Sequence, residues 1–148
     1  MSENISSFLT QDHRGCDDEF AALENAVASE NWDDVEKVFD TFYSDMIHHF
    51  DMEEKVMFPT FETRTGMQGG PTQVMRMEHQ QMKQVMEQMK QDVVNKDKNH
   101  FFGLSETLMM LMQQHNMKEE QMLYRMADQH LGADSTLVVN EMKELERA

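Results

Sequence analysis

Cysteine is almost absent from this chain: Cys16 is the single one in 148 residues. That excludes an internal disulfide framework, expects a reducing compartment, and leaves the fold to rest on a packed core. Only two prolines and six glycines interrupt the backbone, and three of those glycines, Gly66, Gly69 and Gly70, fall together in the segment ETRTGMQGGPT. Long helices with one pronounced loop follow from this. No apolar run reaches the 18 residues or so of a membrane-spanning helix, and MSENISSFLT has no basic stretch leading into an apolar one. A soluble, cytoplasmic protein is therefore expected. Positive charge is scarce as well, 13 Lys and Arg against 28 Asp and Glu, for a net charge of −15. Such a surface speaks against nucleic acid, anionic membranes and acidic substrates as partners.

What is present is helical periodicity. At 148 residues the chain has the length of a single domain with a substantial core. Residues 1–9 read as an arm whose Phe8 and Leu9 pack over the start of the first helix. That helix is expected over Thr10–Glu30, capped by Thr10 or Asp12, with His13, Cys16, Phe20, Leu23 and Val27 on one face. Asn31 and Trp32 mark a turn. A second helix, Asp33–Phe61, carries Val35, Phe39, Phe42, Met46, His49, Glu53 and Val56, and the glycine loop follows it. Pro71 suits the first turn of a third helix, Pro71–Asn95, with Met75, His79, Met82, Met86 and Met89. Beyond polar NKDKN, a fourth helix, Lys98–His130, carries Phe101, Leu108, His115, Glu119, Met122 and Met126 and ends near Gly132. A short helix over residues 134–147 completes an all-α reading: an antiparallel up-down-up-down four-helix bundle over about residues 10–131, with a C-terminal appendage.

Two stretches stand out, HHFDMEEKVMFP from His48 and HNMKEEQMLYR from His115. In each, a histidine precedes a glutamate by four residues, His49 with Glu53 and His115 with Glu119, so imidazole and carboxylate share a helix face. The two pairs are 66 residues apart, and the same translation carries His13 onto His79. In an antiparallel hairpin, residues at one height are equidistant from the turn. The midpoint of His13 and His49 is Asn31, that of His79 and His115 is Asp97, and that of His49 and His79 is Arg64, all in expected turns. Four histidines thus share one level, with Glu53 and Glu119 a turn away. Such a buried polar cluster needs partners. Two metal ions bridged by the two carboxylates would supply them; iron, manganese and zinc all accept such donors.

HFDMEEKVMFP, GGPTQVMRMEH and HNMKEEQMLYRMADQHL resemble segments of the hemerythrin-like (HHE cation-binding) family, and the resemblance runs from His13 to Leu131. It implies a bundle around a non-haem pair of iron ions, bridged by carboxylates and an oxide or hydroxide, with His13, His49, Glu53, His79, His115 and Glu119 as ligands. Manganese and zinc are the lesser expectations. It further implies dioxygen, nitric oxide or peroxide as the small partner, and a role in oxidative or nitrosative stress. An iron-holding or iron-donating repair protein, or a metal-free helical interaction module, is the alternative. Oxygen carriers of the family have a further histidine on the third helix. Met75 and Lys83 stand one turn either side of His79 here, so poor reversible oxygen carriage is implied. The fourth helix has HxxxE where the carriers have HxxxxD, a pattern more similar to bacterial members. Two glutamates bring only two negative charges to two divalent ions, which favours the ferric state weakly.

The remaining polar residues have plainer expectations. Asp17 is one turn from His13 and Asp45 near His49, either a surface carboxylate or an acceptor for the second imidazole nitrogen. Glu54 and Glu120 are turned about 100° from their neighbours Glu53 and Glu119. His48 and His100 lie off the level of the site, and His130 faces a helix C-terminus. The 17 methionines read as flexible core filler and Cys16 as packing.

Overall fold

A computed structural model describes residues 3–148, and among them there is helix and no strand. α1 spans Ile5–Ala28, α2 Trp32–Met52, α3 Phe58–Thr65, α4 Pro71–Asn95, α5 Lys98–Lys118, α6 Tyr124–Leu131 and α7 Ser135–Glu144. Five-residue π-helical turns, Glu53–Met57 and Glu119–Leu123, join α2 to α3 and α5 to α6 without a break. The result is four long rods (α1, α2 with α3, α4, and α5 with α6) assembled as a bundle, with α7 as the appended C-terminal helix. No described helix is long and apolar enough to cross a membrane.

The N-terminal reading needs correction. The expected arm of residues 1–9 is helical from Ile5, so Phe8 and Leu9 belong to α1 and the cap is Asn4, not Thr10 or Asp12. Asn4 accepts from the Ser7 N–H at 2.7 Å while its own N–H donates to the Ser7 hydroxyl at 3.1 Å, a reciprocal capping box. A carboxylate from another rod reinforces it: Asp128 on α6 accepts from the Ile5 and Ser6 N–H groups at 2.9 and 3.1 Å. Those donors lack intrahelical partners, and an anion there suits the helix dipole. Trp32, expected in the turn, is the first residue of α2. Gly66 ends α3 at φ 75°, a left-handed conformation that costs glycine nothing.

The π turns also shift the apolar stripe. Each spends an extra residue per turn, so positions beyond Glu53 and Glu119 advance by one relative to a straight 3.6-residue period. Leu123, Tyr124 and Ala127 are buried, while Met122, expected in the core, is 62% exposed. In the first half Met57, Phe58 and Phe61 are fully buried and Val56 only partly.

Two apolar clusters result, one on each side of a polar layer. The first includes Phe20, Leu23, Phe39, Phe42, Met86 and Phe101. The second includes Ile5, Leu9, Phe58, Phe61, Met75 and Leu131, and α7 closes it with Val138, Val139 and Met142. Burying each such Leu, Phe or Met contributes about 1.5–3 kcal/mol. Cys16 packs in the first cluster, where burial pushes its thiol pKa up, and most of the expected core methionines are buried.

Candidate metal centre

Between the two clusters lie His13, His49, Glu53, His79, His115 and Glu119, none more than 4% exposed. All six residues expected from the spacing are brought together. Their inward atoms form two groups with donors within 4.8 Å of one another: His13, His49, Glu53 and Glu119 in one, Glu53, His79, His115 and Glu119 in the other. Both glutamates belong to both groups.

The π turns begin at these glutamates. The Phe58 N–H donates to the Glu53 carbonyl and the Tyr124 N–H to the Glu119 carbonyl, five residues back in each case. Glu53 and Glu119 thus sit where the helix widens, and each side chain reaches between neighbouring rods.

Each of the four central histidines is held from outside by a carboxylate on a different rod. His13 Nδ1 is 2.7 Å from Glu120, His49 Nδ1 2.7 Å from Asp12, His79 Nδ1 2.6 Å from Glu54 and His115 Nδ1 2.8 Å from Glu78. Burial works against ionisation of these acids, but the facing imidazoles, joined at Glu78 by a stronger contribution from Lys118, hold the carboxyl pKa of Asp12, Glu54, Glu78 and Glu120 below the usual range. An anionic acceptor makes Nδ1 the donor and turns the Nε2 lone pair inward.

Asp17 and Asp45 do not fill this role: Asp17 is exposed, and Asp45 pairs with Arg147 at 2.7 Å. Glu54 and Glu120, expected to point away from the centre, are turned from their own neighbours but toward histidines of adjacent rods. A signal for the outer acids was present. The 66-residue translation carries Asp12 onto Glu78 and Glu54 onto Glu120, and each adjoins a central residue in sequence. His48 and His100 lie elsewhere, against the Leu145 carbonyl and Asp92. His130 is in the last turn of α6, as expected, edge-on to Phe61. Met75 is in the second apolar cluster, and Lys83 Nζ lies over the Phe50 ring; neither joins the six.

Tyr124 was missed. It is fully buried, and its Oη lies 2.6 Å from Glu53 Oε2, 2.9 Å from Glu119 Oε1 and 3.1 Å from His13 Nε2. Burial and the two carboxylates push its pKa well above that of an ordinary phenol.

The donor chemistry fits a cation. His49, His79 and His115 Nε2, Glu53 Oε1 and Glu119 Oε2 are buried without hydrogen-bond partners. His79 Nε2 and Glu53 Oε1 are 3.0 Å apart, yet lone pair faces lone pair once Nδ1 holds the proton. Protons offer another relief. Without a metal, burial opposes charge on His13 and His79, but Glu119 and Glu120 lift the first to about 10, and Glu53 and Glu54 the second to about 9. Burial and the charge of Glu119 push the Glu53 carboxyl up. Cations in the same place would satisfy these atoms without added protons.

Residues 4–127 match the hemerythrin HHE cation-binding domain family. The chain belongs to that family. No curated protein and no solved structure matches it. A hemerythrin domain binds metal ions, typically iron, and the His and Glu clusters of this one fit a metal site. The match begins at the Asn4 cap and reaches Ala127, so it takes in three rods, the fourth as far as Ala127, and all six central residues.

Proposed function

We propose that the chain holds a non-haem di-iron centre that binds or reacts with a small diatomic molecule or peroxide. The observation that carries this reading is the sharing of Glu53 and Glu119 between two donor groups that each contain two inward-facing histidines. His13 and His49 would hold one ion and His79 and His115 the other, with the two glutamates bridging. Imidazole mixed with carboxylate suits iron, and manganese or zinc is the alternative content.

When bound, paired iron supplies the redox chemistry toward dioxygen, nitric oxide or peroxide. The chain supplies the rest. Its outer carboxylates fix four tautomers and raise the donor strength of four imidazoles, offsetting the small number of anionic ligands. The apolar clusters on both sides keep bulk water from the layer. Phe50 and Phe58 stack on the His79 ring with centroids 4.1 and 5.8 Å away, locking its orientation.

The same reading takes residues 1–148 as one domain whose rods alternate in direction. Pairings of early with late residues support it: Glu24 with Ser105, and His13 with Glu120. Iron analysis followed by anaerobic reduction and exposure to oxygen, nitric oxide or peroxide tests the proposal. A changed absorption spectrum supports reactivity. Iron that stays spectrally inert points to holding or donating iron, and absence of any metal to an interaction module.

A further inference from the structure

One hydroxyl breaks the symmetry of the site. The 66-residue translation relates His13 to His79, His49 to His115, Glu53 to Glu119, Asp12 to Glu78 and Glu54 to Glu120, so both halves present the same central and outer groups. It also carries Phe58 onto Tyr124. The two rings are placed alike: Phe58 stacks on His79 at 5.8 Å and 15°, and Tyr124 stacks on His13 at 5.6 Å and 27°. Both are fully buried. Phenylalanine therefore suffices for packing at this position, and the Tyr124 hydroxyl is an addition the core does not need.

That hydroxyl touches only central residues. A phenol has a single hydrogen to give, and Glu53 Oε2 at 2.6 Å is the nearest acceptor. The contacts to Glu119 Oε1 at 2.9 Å and His13 Nε2 at 3.1 Å, themselves 3.1 Å apart, then set lone pair against lone pair unless His13, whose Nδ1 already faces Glu120, carries a second proton on Nε2. A cation among the four atoms removes the conflict.

We propose that Tyr124 is a seventh protein ligand, bound through its oxygen to the ion held by His13 and His49, so that the two metal positions are chemically unlike. This rests on the di-iron reading above. Ligation forms an oxygen–metal bond and breaks the phenol O–H, the proton leaving to solvent as metal binding to protonated ligands requires. The ion at His79 and His115 faces Phe58 at the equivalent place. It keeps the more open coordination sphere and is the one that receives an external molecule.

The experiment is visible absorption and resonance Raman spectroscopy of the iron-loaded ferric protein, with iron per chain measured on the same sample. Wild type is expected to show a phenolate-to-iron charge-transfer band and enhanced phenolate ring vibrations. Tyr124→Phe is expected to lose both while keeping its iron, and it should fold because Phe58 already fills the equivalent place. Tyr43, the other tyrosine, bonds Glu87 on the bundle surface and does not touch the central residues. Phe58→Tyr, placing a phenol beside His79, is expected to strengthen the band. Wild type with about two ferric ions per chain and no band overturns the assignment, as does a band that survives in Tyr124→Phe. A chain that takes up no iron instead defeats the di-iron reading, and the ligand with it.

Discussion

Removing one outer carboxylate should weaken metal binding without touching a central residue, and Glu54→Ala is the sharpest case. Glu54 accepts from His79 Nδ1 at 2.6 Å, and His79 is fully buried. Truncation leaves that N–H without a partner, at a cost of about 1–3 kcal/mol. It also frees the imidazole to adopt the tautomer whose Nε2 carries the proton and cannot bind metal. Loss of such an outer partner typically lowers metal affinity about 10–100-fold, or about 1.4–2.8 kcal/mol. The two figures agree in scale, so a loss in that range is expected for Glu54→Ala. Glu54→Gln should fall between, since its amide oxygen still accepts but the charge assistance is gone. Asp17→Ala should match wild type, because Asp17 is exposed and bonds no histidine. The assay is retention of iron against a graded chelator, with helicity checked by circular dichroism. Equal retention by Glu54→Ala and wild type, or an equal loss in Asp17→Ala, would refute the role given to the outer shell.

Three further outcomes are expected. The metal-free protein should become less stable in alkali: folded His13 and His79 hold protons up to about pH 10 and 9 that the unfolded chain releases near 6.5. That stabilisation is complete below pH 6.5 and lost on the way to pH 9–10, on the order of 3 kcal/mol for His79 alone. A metal-free melting temperature that does not fall between pH 6.5 and 9.5 would contradict it. Leu123→Ala should destabilise by about 2–5 kcal/mol and Met122→Ala by under about 0.5 kcal/mol, since only Leu123 is buried; denaturant titration decides, and a reversed order would deny the π turn. Glu53→Ala or Glu119→Ala should remove more iron per chain than Glu54→Ala, because each would serve both ions, and an equal loss in all three would argue against bridging.

The family pattern was legible in the sequence because it is carried by residue type at fixed spacing. His13, His49 and Glu53 with their counterparts 66 residues on could be placed at one level from helical rise alone, and the structure brings them together. The π turns were not legible, because a 3.6-residue period drawn through Glu119 reaches Met122 as readily as Leu123, and only packing against other rods decides. The outer carboxylates escaped for a related reason. A local search finds Asp17 one turn from His13, whereas the acceptor of His13 is Glu120 on another rod, 107 residues away. The α1 start lies before the expected one since Asn4 caps it by accepting from Ser7, and Asp128 of another rod accepts from Ile5 and Ser6, a tertiary contact. Tyr124 carries no signal of its own in the sequence, because its hydroxyl acquires meaning only from the three polar atoms around it.

The central claim is that the polar layer is a two-metal site. Its most direct test is elemental analysis of the protein expressed in iron-replete medium and purified without chelator, beside a Glu53→Ala, Glu119→Ala double variant shown to be folded. About two iron ions per wild-type chain and almost none in the variant are expected. A folded wild-type protein without metal, or a double variant that keeps its full complement of iron, would contradict it.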